Sequence, residues 1–151
     1  HFASILDAYA GRDVSNLPGS GAGGGMAGGL LAFTHAELVP GFDLISKACH
    51  LEDAIRTCDL VVTGEGRIDI QTGQGKVPAG VARIARDFEK PVVAFCGMAS
   101  DSTLCESNCE FNEIIPVANL AIDMPDSMNN VSKYLALAAE SFARRWTRVL
   151  D

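Results

Sequence analysis

Between Thr63 and Lys76 the chain gathers the side chains that phosphate chemistry requires. Glu65, Arg67, Asp69, Gln71, Thr72 and Lys76 are interleaved there with Gly64, Gly66, Gly73 and Gly75. Arg67 offers a planar fork suited to a phosphate or a carboxylate, and Lys76 a compact point charge. Glu65 and Asp69 are hard oxygen donors of the kind that hold Mg²⁺. The glycines leave backbone amides bare. Gly64, Glu65, Gly66, Gln71, Thr72 and Gly75 are therefore the expected substrate- and phosphate-binding positions. Phosphoryl transfer is largely positioning plus charge neutralisation, and this set supplies both. On that reading Arg67, Asp69 and Lys76 are the catalytic candidates, and Glu65 and Asp69 the metal candidates. The competing reading is a solvated loop in which Glu65 or Asp69 simply pairs with Arg67. The segment is not a Walker A loop: the position five before Gly75 is Ile70, and Val77 follows Lys76 where Ser or Thr is required.

A second unusual segment runs from Gly19 to Gly29, where seven of eleven residues are glycine. Gly19-x-Gly21-x-x-Gly24 has the spacing of a dinucleotide fingerprint. However, no apolar strand precedes it, and no acidic residue follows at the distance a ribose contact needs. Each glycine costs a helix about 0.5–1 kcal/mol relative to alanine. Such a density implies either close backbone packing or an anion at bare amides near a helix start. Gly21, Gly23 and Gly24 are the candidates for anion or substrate contact.

These segments need elements to position them. Phe2, Ile5, Leu6 and Tyr9 recur at helical spacing, ended by Gly11. Leu30–Phe33 has a helix-like apolar face, and Phe42–Ala48 and Leu51–Cys58 look like two short helices. Asp59–Thr63 reads as a buried parallel strand ending at Gly64, and Pro91–Cys96 as another ending at Gly97. Pro78 opens a helix between them, with Val81, Ile84, Ala85 and Phe88 on one face. Ile114–Val117 is a third strand. Met128–Val149 is expected to be one long helix, with Val131, Leu135, Ala138, Phe142 and Trp146 as its buried stripe. Alternating strands and helices predict an α/β fold, three-layered, with a mainly parallel sheet. In such sheets ligands bind at the carboxyl ends of strands, which is where the Thr63–Lys76 segment begins. The expected organisation is a helix and connector over residues 1–16 and one α/β domain or part-domain over residues 17–151.

Composition removes several alternatives. At 151 residues, 48% hydrophobic and 21% charged, the chain is globular and long enough to bury a core. A net charge of −7 argues against nucleic acid and against an anionic membrane surface. The apolar run Met26–Phe33 is too short to span a bilayer. Cys49, Cys58, Cys96, Cys105 and Cys109 form no C-x-x-C pair. They read as reduced thiols, which suits the cytoplasm. His35 and His50 have no paired ligand and read as structural. The chain opens on His1 without a leader-like segment, as though entering a longer polypeptide midway. Oligomeric state is left open, a homo-oligomer included.

Asp59-Leu-Val-Val-Thr-Gly-Glu-Gly-Arg-Ile-Asp69, Gln71-Thr72, Gly75-Lys76, Pro78 and Gly80-Val81-Ala82 together closely resemble the bacterial type of glycerate kinase. So do Leu17-Pro18-Gly19-Ser20-Gly21-Ala22-Gly23-Gly24-Gly25-Met26, Leu31-Ala32-Phe33, Lys90-Pro91-Val92-Val93-Ala94 and Gly97. The resemblance is good from about Leu17 to Gly97. It implies an ATP- and Mg²⁺-dependent enzyme that phosphorylates D-glycerate to 2- or 3-phosphoglycerate. It further implies a two-domain α/β protein with its active site in the cleft, of which this chain is the C-terminal portion. The family's Asp-x-Phe-Lys-Gly motif and its Gly-Gly-Ser-Ala-Thr-like segment are absent from these residues, so the chain is expected to need the missing N-terminal part to catalyse. Two rivals remain at this stage: a stand-alone α/β anion-binding module, and another enzyme that processes sugar or acyl phosphates.

Overall fold

The computed structural model describes residues 1–34, 36–69, 77–99 and 111–146. The chain divides into two compact units, His1–Asp43 and Leu44–Asp151; residue 16, the expected boundary, lies inside the first.

In the first unit α1 (Phe2–Ala10) is followed by α2 (Ala22–Thr34). Gly11 closes α1 in the left-handed conformation, with φ 64°. Leu6, Val14 and Leu31 form the buried centre, with Ala10 and Ala32 against it. The chain from Asp13 to Ser20 is held by side chains rather than by regular structure. Ser20 Oγ donates to the Ser15 carbonyl at 2.8 Å, and Arg12 reaches the Leu31 carbonyl at 3.0 Å.

α3 (Gly41–Ala48) crosses the division, and α4 (Leu51–Thr57) follows in the second unit. The sheet has three parallel strands in the order β1 (Val61–Ile68), β2 (Val92–Ala99), β3 (Glu113–Pro116). α5 (Val77–Asp87) connects the first two strands and buries Pro78, Gly80, Val81, Ala82 and Ala85. β2 is the most deeply buried strand: Val92, Val93, Ala94 and Cys96 are all 3% exposed or less. This is the continuous apolar pattern expected of a parallel strand covered on both faces. Ile68, Ala94 and Cys96 pack with Phe111 and Ile114. Phe95 and Ile115 pack with Val117, Tyr134 and Ala138. The fold is thus α/β with a parallel sheet, as the alternation of elements predicts.

The C-terminal region departs from the single helix expected over Met128–Val149. A 3₁₀ turn (Val117–Leu120) leads to α6 (Met124–Asn129), and α7 (Val131–Trp146) begins after a break at Asn130. Residues 147–149 lie outside the described residues. Asp123 caps α6 by accepting from the Asp126 amide at 2.8 Å, and Asp126 accepts in return from the Ile122 amide at 3.1 Å. This reciprocal cap starts the helix four residues early. Asn130 ends it with its side-chain amide on Asp126 Oδ1 at 2.8 Å. The buried face of α7 is Tyr134, Ala138 and Phe142, whereas Val131 and Leu135 remain 48% and 42% exposed. Tyr134 takes the place of Leu135 because its hydroxyl reaches Asp126 at 2.5 Å while its ring packs with Val117 and Ala138. Phe142 meets Phe95 edge-on, centroids 6.1 Å apart, and Trp146 at 5.8 Å.

Candidate active site

β1 runs to Ile68, so the first half of the expected loop is strand. Glycine usually weakens a strand, but it also permits close backbone approach. Here the approach dominates. A methyl group on Gly64 would meet the Phe95 carbonyl oxygen at 2.5 Å. One on Gly97 would meet the Gly66 carbonyl oxygen at 2.6 Å. β2 likewise runs through Gly97 to Ala99 rather than stopping at the glycine. Gly66 differs from these two: a Cβ there would meet nothing within 4 Å. No contact among the described residues therefore demands glycine at position 66.

The strand sets the spacing of the charged side chains. Glu65 pairs in register with Cys96, and Arg67 with Met98. Alternation puts Thr63, Glu65 and Arg67 on one face of β1. Arg67 Nε lies 3.5 Å from Asp69 Oδ2, with the arginine side chain 60% exposed and that of Asp69 24%. The structure thus realises the Arg67–Asp69 pairing that the sequence left as an alternative. A pair this long and this exposed contributes little to stability, so it leaves the guanidinium available to an incoming anion. Glu65 lies within β1, and Asp69 follows the last strand residue, Ile68. Among the described residues no group of three or more His, Cys, Asp or Glu side chains converges as a metal cage. Gln71, Thr72, Gly75 and Lys76 lie outside the described residues.

Gly21, Gly23 and Gly24 belong to the first unit. Gly23, Gly24 and Gly25 all have positive φ, at 62°, 66° and 92°, so the chain makes a left-handed turn before α2 becomes regular. A side chain in this conformation costs roughly 1–2 kcal/mol per residue. Close packing adds its own demand further on, since a Cβ on Gly25 would lie 3.2 Å from the Phe2 ring and one on Gly28 3.1 Å from the Ser20 carbonyl oxygen. Gly24 has open space where a Cβ would stand.

Asp7 carries no motif or periodic signal that would single it out in the sequence. It accepts from the Val14 amide at 2.8 Å, the Ser15 amide at 2.9 Å and the Ser15 hydroxyl at 2.7 Å. The Ser15 hydroxyl and amide hold its carboxyl below the usual range. Asp7 thereby ties α1 to the connector that enters the glycine turn. Its partners lie seven and eight residues away on an irregular segment, a spacing with no periodic signature. His50 stands at the start of α4 with φ 53° and Nδ1 3.7 Å from Asp53; His35 lies outside the described residues. Cys49 is exposed, Cys58 half-buried and Cys96 buried, while Cys105 and Cys109 lie outside the described residues. No described helix is long and apolar enough to cross a membrane.

Comparison with known proteins puts this geometry in a family. The profile described as "Glycerate kinase family" matches residues 1–147. A "Glycerate kinase" of Haemophilus influenzae is 35% identical over 144 residues, covering 95% of this chain and 38% of that relative. A "Glycerate 2-kinase" of Escherichia coli K12 is 46% identical over 101 residues, covering 67% of this chain and 26% of that relative. A crystal structure from Salmonella typhimurium LT2, provisionally described as glycerate kinase 2, superposes with a TM-score of 0.62 at 34% identity. That superposition covers 96% of this chain and 38% of the Salmonella chain. The chain therefore spans between about a quarter and two-fifths of the length of these relatives. With a profile match over nearly its whole length, the chain belongs to the glycerate kinase family.

Proposed function

We propose that this chain contributes part of the active site of a kinase that transfers the γ-phosphate of ATP to D-glycerate. The observation that carries the reading is the placement of Glu65 and Arg67 on β1, with Asp69 just past its carboxyl end, in a parallel sheet of a member of the glycerate kinase family. Arg67, with a fork matched to carboxylate or phosphate, binds and orients an anionic group. Lys76, just ahead of α5, supplies a second cation. Asp69 or Glu65 orients the accepting hydroxyl or holds Mg²⁺. The metal, when bound, neutralises charge on the phosphate oxygens. Gly64, Gly66 and Gly75 offer backbone amides, Gln71 and Thr72 further polar contacts, and the turn at Gly21, Gly23 and Gly24 a second anion-binding segment. The remaining wall of the site comes from polypeptide equivalent to the parts of the relatives outside the match, so these 151 residues do not turn over by themselves. Exposed Cys49 suits the reducing cytoplasm.

The test is made in the full-length gene product, with a coupled assay for ADP release. Lys76→Ala and Asp69→Asn are each expected to lower turnover of D-glycerate by at least about tenfold, the scale on which lost electrostatic stabilisation reads. Near-normal rates for both variants would sink the assignment.

A further inference from the structure

The first unit buries too little. Its centre consists of Leu6, Val14 and Leu31, three side chains for 43 residues. Phe2, Tyr9, Met26, Leu30 and Phe33, on the two helices of the same unit, are 54%, 67%, 70%, 48% and 58% exposed. They are adjacent rather than scattered. Tyr9 and Phe33 stack with ring centroids 4.6 Å apart. Phe2, Met26, Leu30 and Phe33 line an apolar groove of about 470 Å³ whose floor is the backbone of Gly23–Gly25 and Gly29. A Cβ on Gly24 or Gly29 would meet nothing within 4 Å, so the floor is open to another backbone. Contiguous apolar surface of this kind marks an interaction site, whereas single exposed apolar residues do not. A unit of this size does not stabilise itself on three core side chains.

We propose that this α1–α2 face is covered in the native protein by its own polypeptide, in the part corresponding to the 62% of the Salmonella structure that the superposition leaves unmatched. Two observations select this occupant. The matched relatives all carry a large unmatched portion, which supplies a partner of the right kind in the same molecule. The unit's charge is unsuited to a membrane: Arg12 is its sole Lys or Arg, against Asp7, Asp13, Glu37 and Asp43. Anionic lipid surfaces select basic faces. The groove floor under the glycine turn then becomes an intramolecular interface, and the bare backbone is a surface for close approach of a second helix or strand.

Site-specific photo-crosslinking of the full-length gene product tests this. Benzoyl-phenylalanine replaces Phe33 in one protein and Tyr9 in another; each keeps an aromatic ring at its position, and a thermal melt matching the parent's shows that the fold is kept. The expected result is intramolecular crosslinks in the monomer, mapping by mass spectrometry to segments outside residues 1–151 and independent of protein concentration. Crosslinks to a second copy of the chain, crosslinks confined to residues 44–151, crosslinks only to added lipid vesicles, or none above background would each overturn the proposal. The result does not depend on kinase activity, so it stands or falls separately from the proposed function.

Discussion

Gly97 stands so near Gly66 that a methyl group on the first would lie 2.6 Å from the carbonyl oxygen of the second. The two strands that carry the candidate site are therefore fitted to each other through absent side chains. Gly97→Ala and Gly64→Ala should each destabilise the second unit by about 1–3 kcal/mol, the usual cost of overpacking against an unyielding neighbour. Gly66→Ala, with open space at its Cβ, should change stability by no more than about 0.5 kcal/mol. Denaturant titration of the three variants in the full-length protein checks the contrast, and equal effects at all three would refute it. If a ligand or a neighbouring segment approaches Gly66, that variant will lose activity without losing stability.

Arg67 separates charge from geometry. Arg67→Lys keeps a cation but loses the planar fork, and the 3.5 Å pair with Asp69 is too exposed to matter much for folding. Stability should stay within about 0.5 kcal/mol of the parent. KM for D-glycerate or ATP should rise about tenfold, a loss of about 1.4 kcal/mol in binding. Unchanged KM values for both substrates would remove Arg67 from the site.

The Asp126–Tyr134 hydrogen bond gives the C-terminal helices a dependence on pH at both ends of the range. The Tyr134 hydroxyl, then the Ile122 amide, hold the Asp126 carboxyl below its ordinary value. Its contribution is complete above the unfolded pKa and is lost as pH falls through the lowered folded one. The hydrogen bond to Asp126, then burial, push the Tyr134 phenol up. That contribution is complete below the unfolded phenol pKa and is lost as pH rises through the raised folded one. Tyr134→Phe removes both. The Tm difference between parent and variant should accordingly be largest near neutrality and shrink in strong acid and strong base. A difference that is flat across pH would show that the bond is not formed.

Phe142 tests the packing of α7 on the sheet. It is 7% exposed and sits between Phe95 and Trp146. Phe142→Ala should cost about 3–5 kcal/mol, as truncation of a buried aromatic does. Leu135→Ala, at 42% exposure on the neighbouring face, should cost far less. A reversal of that order in denaturation would restore the stripe that periodicity alone predicts.

Much of the fold was legible in sequence because its strands are apolar runs and its helices carry periodic faces. Val92–Cys96 could only be a covered strand, and Pro78 marks the start of α5 to within one residue. The misreadings have physical causes. Gly64 and Gly97 look like strand ends, yet both strands run on past them, because backbone proximity at these two positions excludes any larger residue. The α7 stripe was misassigned at Leu135 because hydrophobicity ranks leucine above tyrosine, and a hydrogen bond to Asp126 reverses the order. The break at Asn130 comes from a reciprocal cap whose donors and acceptors are spaced by turn geometry rather than by helical period. At the site, the sequence named the charged residues of β1, but only the strand shows that Arg67 neighbours Asp69 and that Glu65 and Asp69 are spread along the chain.

The turn at Gly23, Gly24 and Gly25 has a further consequence, best put in terms of chirality. Three successive residues with positive φ trace the mirror image of the helix that follows them. Glycine is the one genetically encoded residue without a stereocentre, so every missense change at these three codons installs an L-configured carbon in a right-handed world's reflection. Tolerance there is set first by how readily each side chain accepts that handedness. A saturation scan should show most replacements depleted at each of the three positions, β-branched residues most and Asn and Asp least.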